Sequence, residues 1–149
     1  MYKIHVINGP NLNLLSERNS EIYGAITLED ICKKITNVCD ETGMKVTFFQ
    51  SNHEGAIIDE IHRVRNIVDG IIINAGAYTH YSFAIRDAIE ILKIPVIEVH
   101  LSDIDSREEF RKKSVIAGVC FKQIKGLGAG SYLEAVKVLS DIFKQVGGI

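Results

Sequence analysis

Five short apolar, β-branched runs alternate along the chain with five longer stretches in which apolar residues recur at helical spacing. The runs predict strands at 3–7, 45–50, 70–74, 96–101 and 115–124. "DGIIINAG" and "IPVIEVHL" are apolar at both alternating sets of positions, as a strand covered on both faces of a parallel sheet requires. The intervening periodicity predicts helices at 28–42, 55–68, 81–92, 107–113 and 131–145. Three helix starts have capping-box spacing, in which a hydroxyl and a later acidic side chain satisfy each other's backbone N–H groups: Thr27 with Asp30, Ser51 with Glu54, and Ser106 with Glu109.

Strict β-α alternation implies an α/β architecture, an open parallel sheet with helices on both faces, because parallel neighbours need right-handed crossovers. Five strands favour the flavodoxin-like order. The 149 residues contain no repeat, low-complexity tract or Pro/Ser-rich linker, so a single domain over 1–149 is expected. Ligands of such sheets bind beyond the carboxyl ends of the strands, near the switch in strand order. Between the first strand and the first predicted helix lies "NGPNLNLLSERNSEIYG", residues 8–24. A connection longer than about 12–15 residues in a compact domain is uncommon unless it serves as a lid or a binding loop.

Composition narrows the chemistry. With 17 basic and 19 acidic side chains, a net charge of -2 offers no global field for nucleic acid or an anionic membrane, so an anionic ligand must be met by locally placed arginines. The three cysteines, Cys32, Cys39 and Cys120, form no CxxC, and Cys32 and Cys39 sit two helical turns apart, which reads as buried reduced thiols. No stretch reaches the ~18 uninterrupted apolar residues of a membrane span, and "MYKIHVINGP" lacks the length and cleavage site of a signal peptide. The expectation is a cytoplasmic protein.

The strand ends present Asn8 and Asn11, then Asn74 with "AGAYTHYS", then "EVHLSD", with Arg107 and Arg111 just beyond. Together with Arg18 and Tyr23 of the long loop, they describe a polar pocket for a small, hydroxylated, anionic molecule, with an imidazole for proton transfer near neutral pH. Metal binding fares poorly, since His80 and His100 lie on separate loops and no HxH or HExxH spacing occurs. No GxxxxGK[ST] is present, and "GLGAGS" carries Ser131 where GxGxxG needs its last glycine, so it reads as a turn into the final helix. Asn8, His5, His53 and His62 read as structural. Arg107 and Arg111, beside Glu108 and Glu109, also fit a surface salt-bridge ladder.

"VINGPNLNLL", "YG" at 23–24, "QSNHEG", "IINAGAYTHYS", "PVIEVHLSD", "REEFR" and "GLG", in this order, closely resemble the type II 3-dehydroquinate dehydratases over essentially the whole chain. The resemblance implies a flavodoxin-like fold, a homododecamer built as a tetramer of trimers, and neither cofactor nor metal. It implies anti elimination of water from 3-dehydroquinate to give 3-dehydroshikimate through an enolate, in the shikimate pathway of aromatic amino-acid biosynthesis or in quinate breakdown. On matching positions Tyr23 resembles the base, His100 the acid, Arg18 the lid arginine, Asn11 the asparagine near the enolate oxygen, and Glu98 the carboxylate that orients the histidine. Substrate binding falls to Asn74, His80, Leu101, Ser102 and Arg111, with Asp87 reaching across a subunit contact. The chain departs from the commoner family pattern at Val115, where tyrosine is frequent, and at Lys122, where glycine is usual.

These residue types suit the reaction. A phenol with a free pKa near ~10 needs an adjacent positive charge to serve as a base at neutral pH, and Arg18 stands five residues before Tyr23. An amide donor such as Asn11 can stabilise the charge that builds on the ketone oxygen. Strand alternation puts Glu98 on the side of His100, where a carboxylate would favour the imidazolium and fix the ring. The long loop would open to admit substrate and close to exclude water. A small-acid binding module that lost turnover and a metal-dependent hydrolase are the alternatives.

Overall fold

The computed structural model describes residues 1–23 and 25–147, Tyr23 by its backbone alone. Its five strands are β1 Lys3–Asn8, β2 Lys45–Gln50, β3 Gly70–Asn74, β4 Val96–His100 and β5 Lys122–Lys125. All pair in parallel in the order β2-β1-β3-β4-β5, the flavodoxin-like arrangement. The switch in strand order falls between β1 and β3, whose ends carry the asparagines of "ING" and "INAG".

Six helices are described: α1 Ser20–Tyr23, α2 Leu28–Thr42, α3 Glu54–Val64, α4 Phe83–Glu90, α5 Glu109–Lys112 and α6 Gly130–Val146. One core sets Ile4, Val6, Ile72, Ile97 and Val99 of the sheet against Ile31 and Ile35 of α2 and Leu139 of α6. The other sets Ile7, Ile71 and Ile73 against Ile57 and Ile61 of α3 and Ile85 and Ile89 of α4. Alternation along each strand therefore commits odd and even positions to different helical layers.

The capping box of Thr27 and Asp30 is present in both directions. Those predicted at Ser51 and Ser106 are not. The Ser51 hydroxyl accepts from the His53 N–H only two residues on, and Glu54 instead accepts from the Ser82 hydroxyl at 2.5 Å. Ser106 donates to the Asp103 carbonyl, and the helix that follows begins two residues later than expected. In each case one member of the pair is taken by a partner outside the four-residue window, Glu54 by Ser82 and Ser106 by Asp103.

The fifth strand is also much shorter than the run 115–124 predicts. Val115 and Ile116 are buried against the α3/α4 layer, a 3-10 turn occupies Ala117–Val119, and sheet pairing begins only at Lys122. Arg86 holds the segment off the sheet by donating to the Val115 carbonyl at 2.6 Å, while Ala117 N–H closes a turn on Ser114 Oγ.

Candidate active site

Close contact between the exits of β1 and β3 builds the floor of a pocket. Gly9 N–H donates to the Asn74 carbonyl at 2.7 Å, and a Cβ at Gly9 would stand 2.5 Å from the Ala75 carbonyl oxygen, so only glycine fits. Asn8 and Asn74 are register partners on the α6 side of the sheet. The hydroxyl of Tyr132, fully buried on α6, joins them by donating to Asn8 Oδ1 at 2.6 Å and accepting from Asn74 Nδ2 at 2.9 Å. Asn74 Oδ1 accepts from Gly76 N–H, so the orientation of this amide is determined from both ends. Burial pushes the Tyr132 phenol well above its ordinary range despite the Asn74 hydrogen bond.

The other face of the sheet supplies the ionised group. Glu98, on the middle of β4, is completely buried. Its Oε2 accepts from His100 Nε2 at 2.5 Å, Ser114 Oγ at 2.8 Å, Thr79 Oγ1 at 3.0 Å and Gln123 Nε2 at 3.1 Å. Burial would raise this carboxyl, but the His100 hydrogen bond and charge, with Ser114 and Gln123, overcome it and hold Glu98 below its ordinary value. Because a carboxylate can only accept, His100 donates through Nε2, and its Nδ1 has no partner among the described residues.

Above this floor the pocket has a volume of about 120 Å³ and is lined by Asn11, Arg18, Asn74, His80, His100, Leu101, Ser102, Arg107 and Arg111, with apolar Pro10, Leu12 and Ile104. His80 donates from Nδ1 to the Lys113 carbonyl at 2.7 Å, which makes Nε2 the acceptor in the neutral ring. Desolvation lowers the His80 pKa, with the charges of His100 and Arg111 adding to it against the Lys113 hydrogen bond. Arg111 lies 4.8 Å over the Phe110 ring and pairs with Glu108 at 2.7 Å, so the salt bridge of the ladder and the pocket wall are the same side chain. The loop after β1 is a 3-10 turn at Leu12–Glu17 followed by α1. Asn11 opens it in the left-handed conformation (φ 68°), the one such non-glycine among the described residues, with its N–H held by Asn52 Oδ1 at 3.0 Å.

The site thus offers a fixed imidazole backed by a carboxylate, an acceptor imidazole, amide groups and guanidinium charge around a space for one small polar molecule. Among the described residues no group of three or more His, Cys, Asp or Glu side chains could hold a metal ion. Residues 2–140 match the family described as Dehydroquinase class II. The chain belongs to that family. It is 58% identical over 143 residues to a protein from Caldicellulosiruptor bescii named 3-dehydroquinate dehydratase, covering 95% of this chain and 99% of the relative. It is 53% identical over 144 residues to one of the same name from Thermotoga maritima, covering 97% and 99%. The crystal structure of a type II dehydroquinase from Butyrivibrio crossotus superposes with a TM-score of 0.91 at 50% identity, covering 93% and 97%.

Within this class II dehydroquinase, nine residues singled out in the sequence meet at the pocket: Asn11, Arg18, Asn74, His80, His100, Leu101, Ser102, Arg107 and Arg111. Glu98 stands directly behind His100. Asp87 does not line the pocket; it is exposed on α4. Tyr23 ends α1, and its side chain lies outside the described residues, as does Gly24. Sequence reasoning missed Tyr132, Gln123, Ser114, Thr79 and Asn52. Only Gln123 carried a usable signal, a polar residue at an inward position of a predicted strand.

Proposed function

We propose that this protein, as one catalytic domain spanning the chain, dehydrates 3-dehydroquinate to 3-dehydroshikimate by anti elimination through an enolate. The observation that carries the reading is the buried Glu98–His100 pair opening on a polar pocket at the strand ends. Elimination beside a ketone needs a base for the carbon-bound proton, a donor for the charge that builds on the ketone oxygen, and an acid for the departing hydroxyl. Tyr23 serves as the base, with Arg18 sustaining its phenolate. Asn11 faces the enolate oxygen. His100 protonates the hydroxyl, which leaves as water, and Glu98 holds the ring while this happens.

Asn74, His80, Leu101, Ser102 and Arg111 bind the hydroxyl and carboxylate groups of the substrate. A neutral His80 suits that work, because its Nε2 can accept a hydrogen bond from a substrate hydroxyl. The protein assembles as a homododecamer, a tetramer of trimers, works in the cytoplasm, and serves the shikimate pathway or quinate breakdown. Asp87 is exposed on α4 together with Phe83, and Tyr81 and Ile91 flank the helix at 59% and 66% exposure, an apolar surface suited to a neighbouring subunit.

Incubation of the purified protein with 3-dehydroquinate and a chelator tests the reaction. Ultraviolet absorbance of the conjugated enone should rise, at the same rate with and without chelator, and a flat trace overturns the assignment. Light scattering should return the mass of twelve chains; a monomer would remove Asp87 from the site.

A further inference from the structure

We infer that Gln123 is a positioning residue for the acid of this reaction: its amide, delivered by β5, sets how tightly the Glu98–His100 pair holds its proton. The inference rests on the assignment of His100 as the acid. Gln123 is the direct register partner of Glu98 across the β4/β5 pairing, so both side chains leave the same face of the sheet at neighbouring positions. Its Nε2 reaches Glu98 Oε2 at 3.1 Å, the same oxygen that accepts from His100. Three neutral donors, on β5, on the turn after β3 and on the segment before β5, therefore share one carboxylate oxygen with the imidazole.

That sharing has a direction. The Glu98 anion is partly neutralised when His100 carries its proton and uncompensated when it does not. A neutral donor thus helps the deprotonated pair more, and it eases release of the proton. Without Gln123 the pair should keep its proton to higher pH. The surrounding charges leave this effect readable. His80 and Arg111 face the pair from the turn after β3 and from α5. Lys125 is the register partner of His100, but its ammonium is paired with Asp105. The Cys120 thiol is pushed up to about 12 by burial and the Glu98 charge, so it stays neutral throughout. Arg18 and Arg107 line the same pocket.

Gln123→Met keeps the volume and removes the donor; Gln123→Glu keeps the shape and adds a second carboxylate. Two measurements are made on the full-length protein. The first is the imidazole titration of His100 by NMR with labelled histidine, its signal assigned as the one lost in His100→Asn. The second is the pH profile of kcat on 3-dehydroquinate. In Gln123→Met the titration and the basic limb should both move up by about half a pH unit, with KM within twofold of the parent. In Gln123→Glu they should move further in the same direction. A His100 titration in either variant that superimposes on that of the parent overturns the inference and leaves Gln123 as packing. If the parent fails to turn over 3-dehydroquinate while the NMR shift occurs, the functional reading falls and the role of Gln123 on the pair stands.

Discussion

Two buried histidine–glutamate pairs lie on the same face of the sheet, and only one of them opens on a pocket. His5 of β1 meets Glu60 of α3 at 2.6 Å, and His100 of β4 meets Glu98 at 2.5 Å. Length and burial do not separate them; the remaining partners do. Both ring nitrogens of His5 are used, Nε2 by Glu60 and Nδ1 by the Thr47 hydroxyl at 2.6 Å. Glu60 is answered by a full charge, since Arg63 donates twice to it at 2.8 Å from the protein surface. Glu98 is answered by neutral donors alone apart from the imidazole itself, and His100 keeps Nδ1 for the pocket. A histidine–carboxylate contact is therefore a fastening when every other atom is committed, and a source of protons when one nitrogen is left over.

The largest test of that contrast exchanges each histidine for asparagine. His100→Asn should lower kcat by about 10²- to 10⁴-fold, the usual worth of a positioned acid, and lower the melting temperature as well, because buried Glu98 loses its charged partner. His5→Asn should leave kcat within twofold while lowering the melting temperature. Equal losses of activity in the two variants, measured by enone absorbance, would break the distinction.

Smaller effects follow from removing each carboxylate charge. A hydrogen bond to a charged group contributes about 1.5–3 kcal/mol, which as a rate is about tenfold to a hundredfold. Glu98→Gln should show a loss of that size in kcat and a further loss in stability. Glu60→Gln should show it in the urea unfolding free energy alone. A fall in kcat for Glu60→Gln beyond twofold would mean that the β1 pair communicates with the pocket.

What the sequence made legible follows the same division between near and far. Alternation along "VIEVH" is local, and it put Glu98 and His100 on one side of β4 without any knowledge of the rest of the chain. The four strands bracketed by turn residues were equally plain. The run 115–124 was not, because burial against helices and burial in a sheet leave the same apolar signature; only Arg86 and the 3-10 turn distinguish them. Tyr132 was invisible as a site residue for a related reason, and so was the partner of Gln123, although that residue's inward polar position was legible. Each reaches its asparagine or glutamate across strand order or from another layer, and their separations of 58 and 25 residues are fixed by topology rather than by any motif. Likewise Thr27 and Ser51 share one spacing, and a distant serine decides which of them caps.

The smallest difference between the pairs is one of pH. Burial lowers the His5 pKa below its ordinary 6.5, and this outweighs the Glu60 hydrogen bond that would raise it. The Arg63 hydrogen bonds hold the Glu60 carboxyl below its ordinary 4.5 against the cost of burial. The folded pair is thus neutral imidazole beside carboxylate. Its stabilisation is present above about pH 6.5 and is lost as pH falls, because the unfolded chain takes up a proton on His5 that the folded chain resists. Half-buried His80 adds a loss in the same window and direction, while Glu60 and Glu98 lose theirs only below about pH 4.5. Urea unfolding between about pH 7 and pH 5 should show stability falling for the parent and falling less steeply for His5→Asn, with the residual slope left by His80. Parallel lines for the two proteins would mean that the His5 pair carries its proton in the folded state, and that the two pairs differ in surroundings but not in charge.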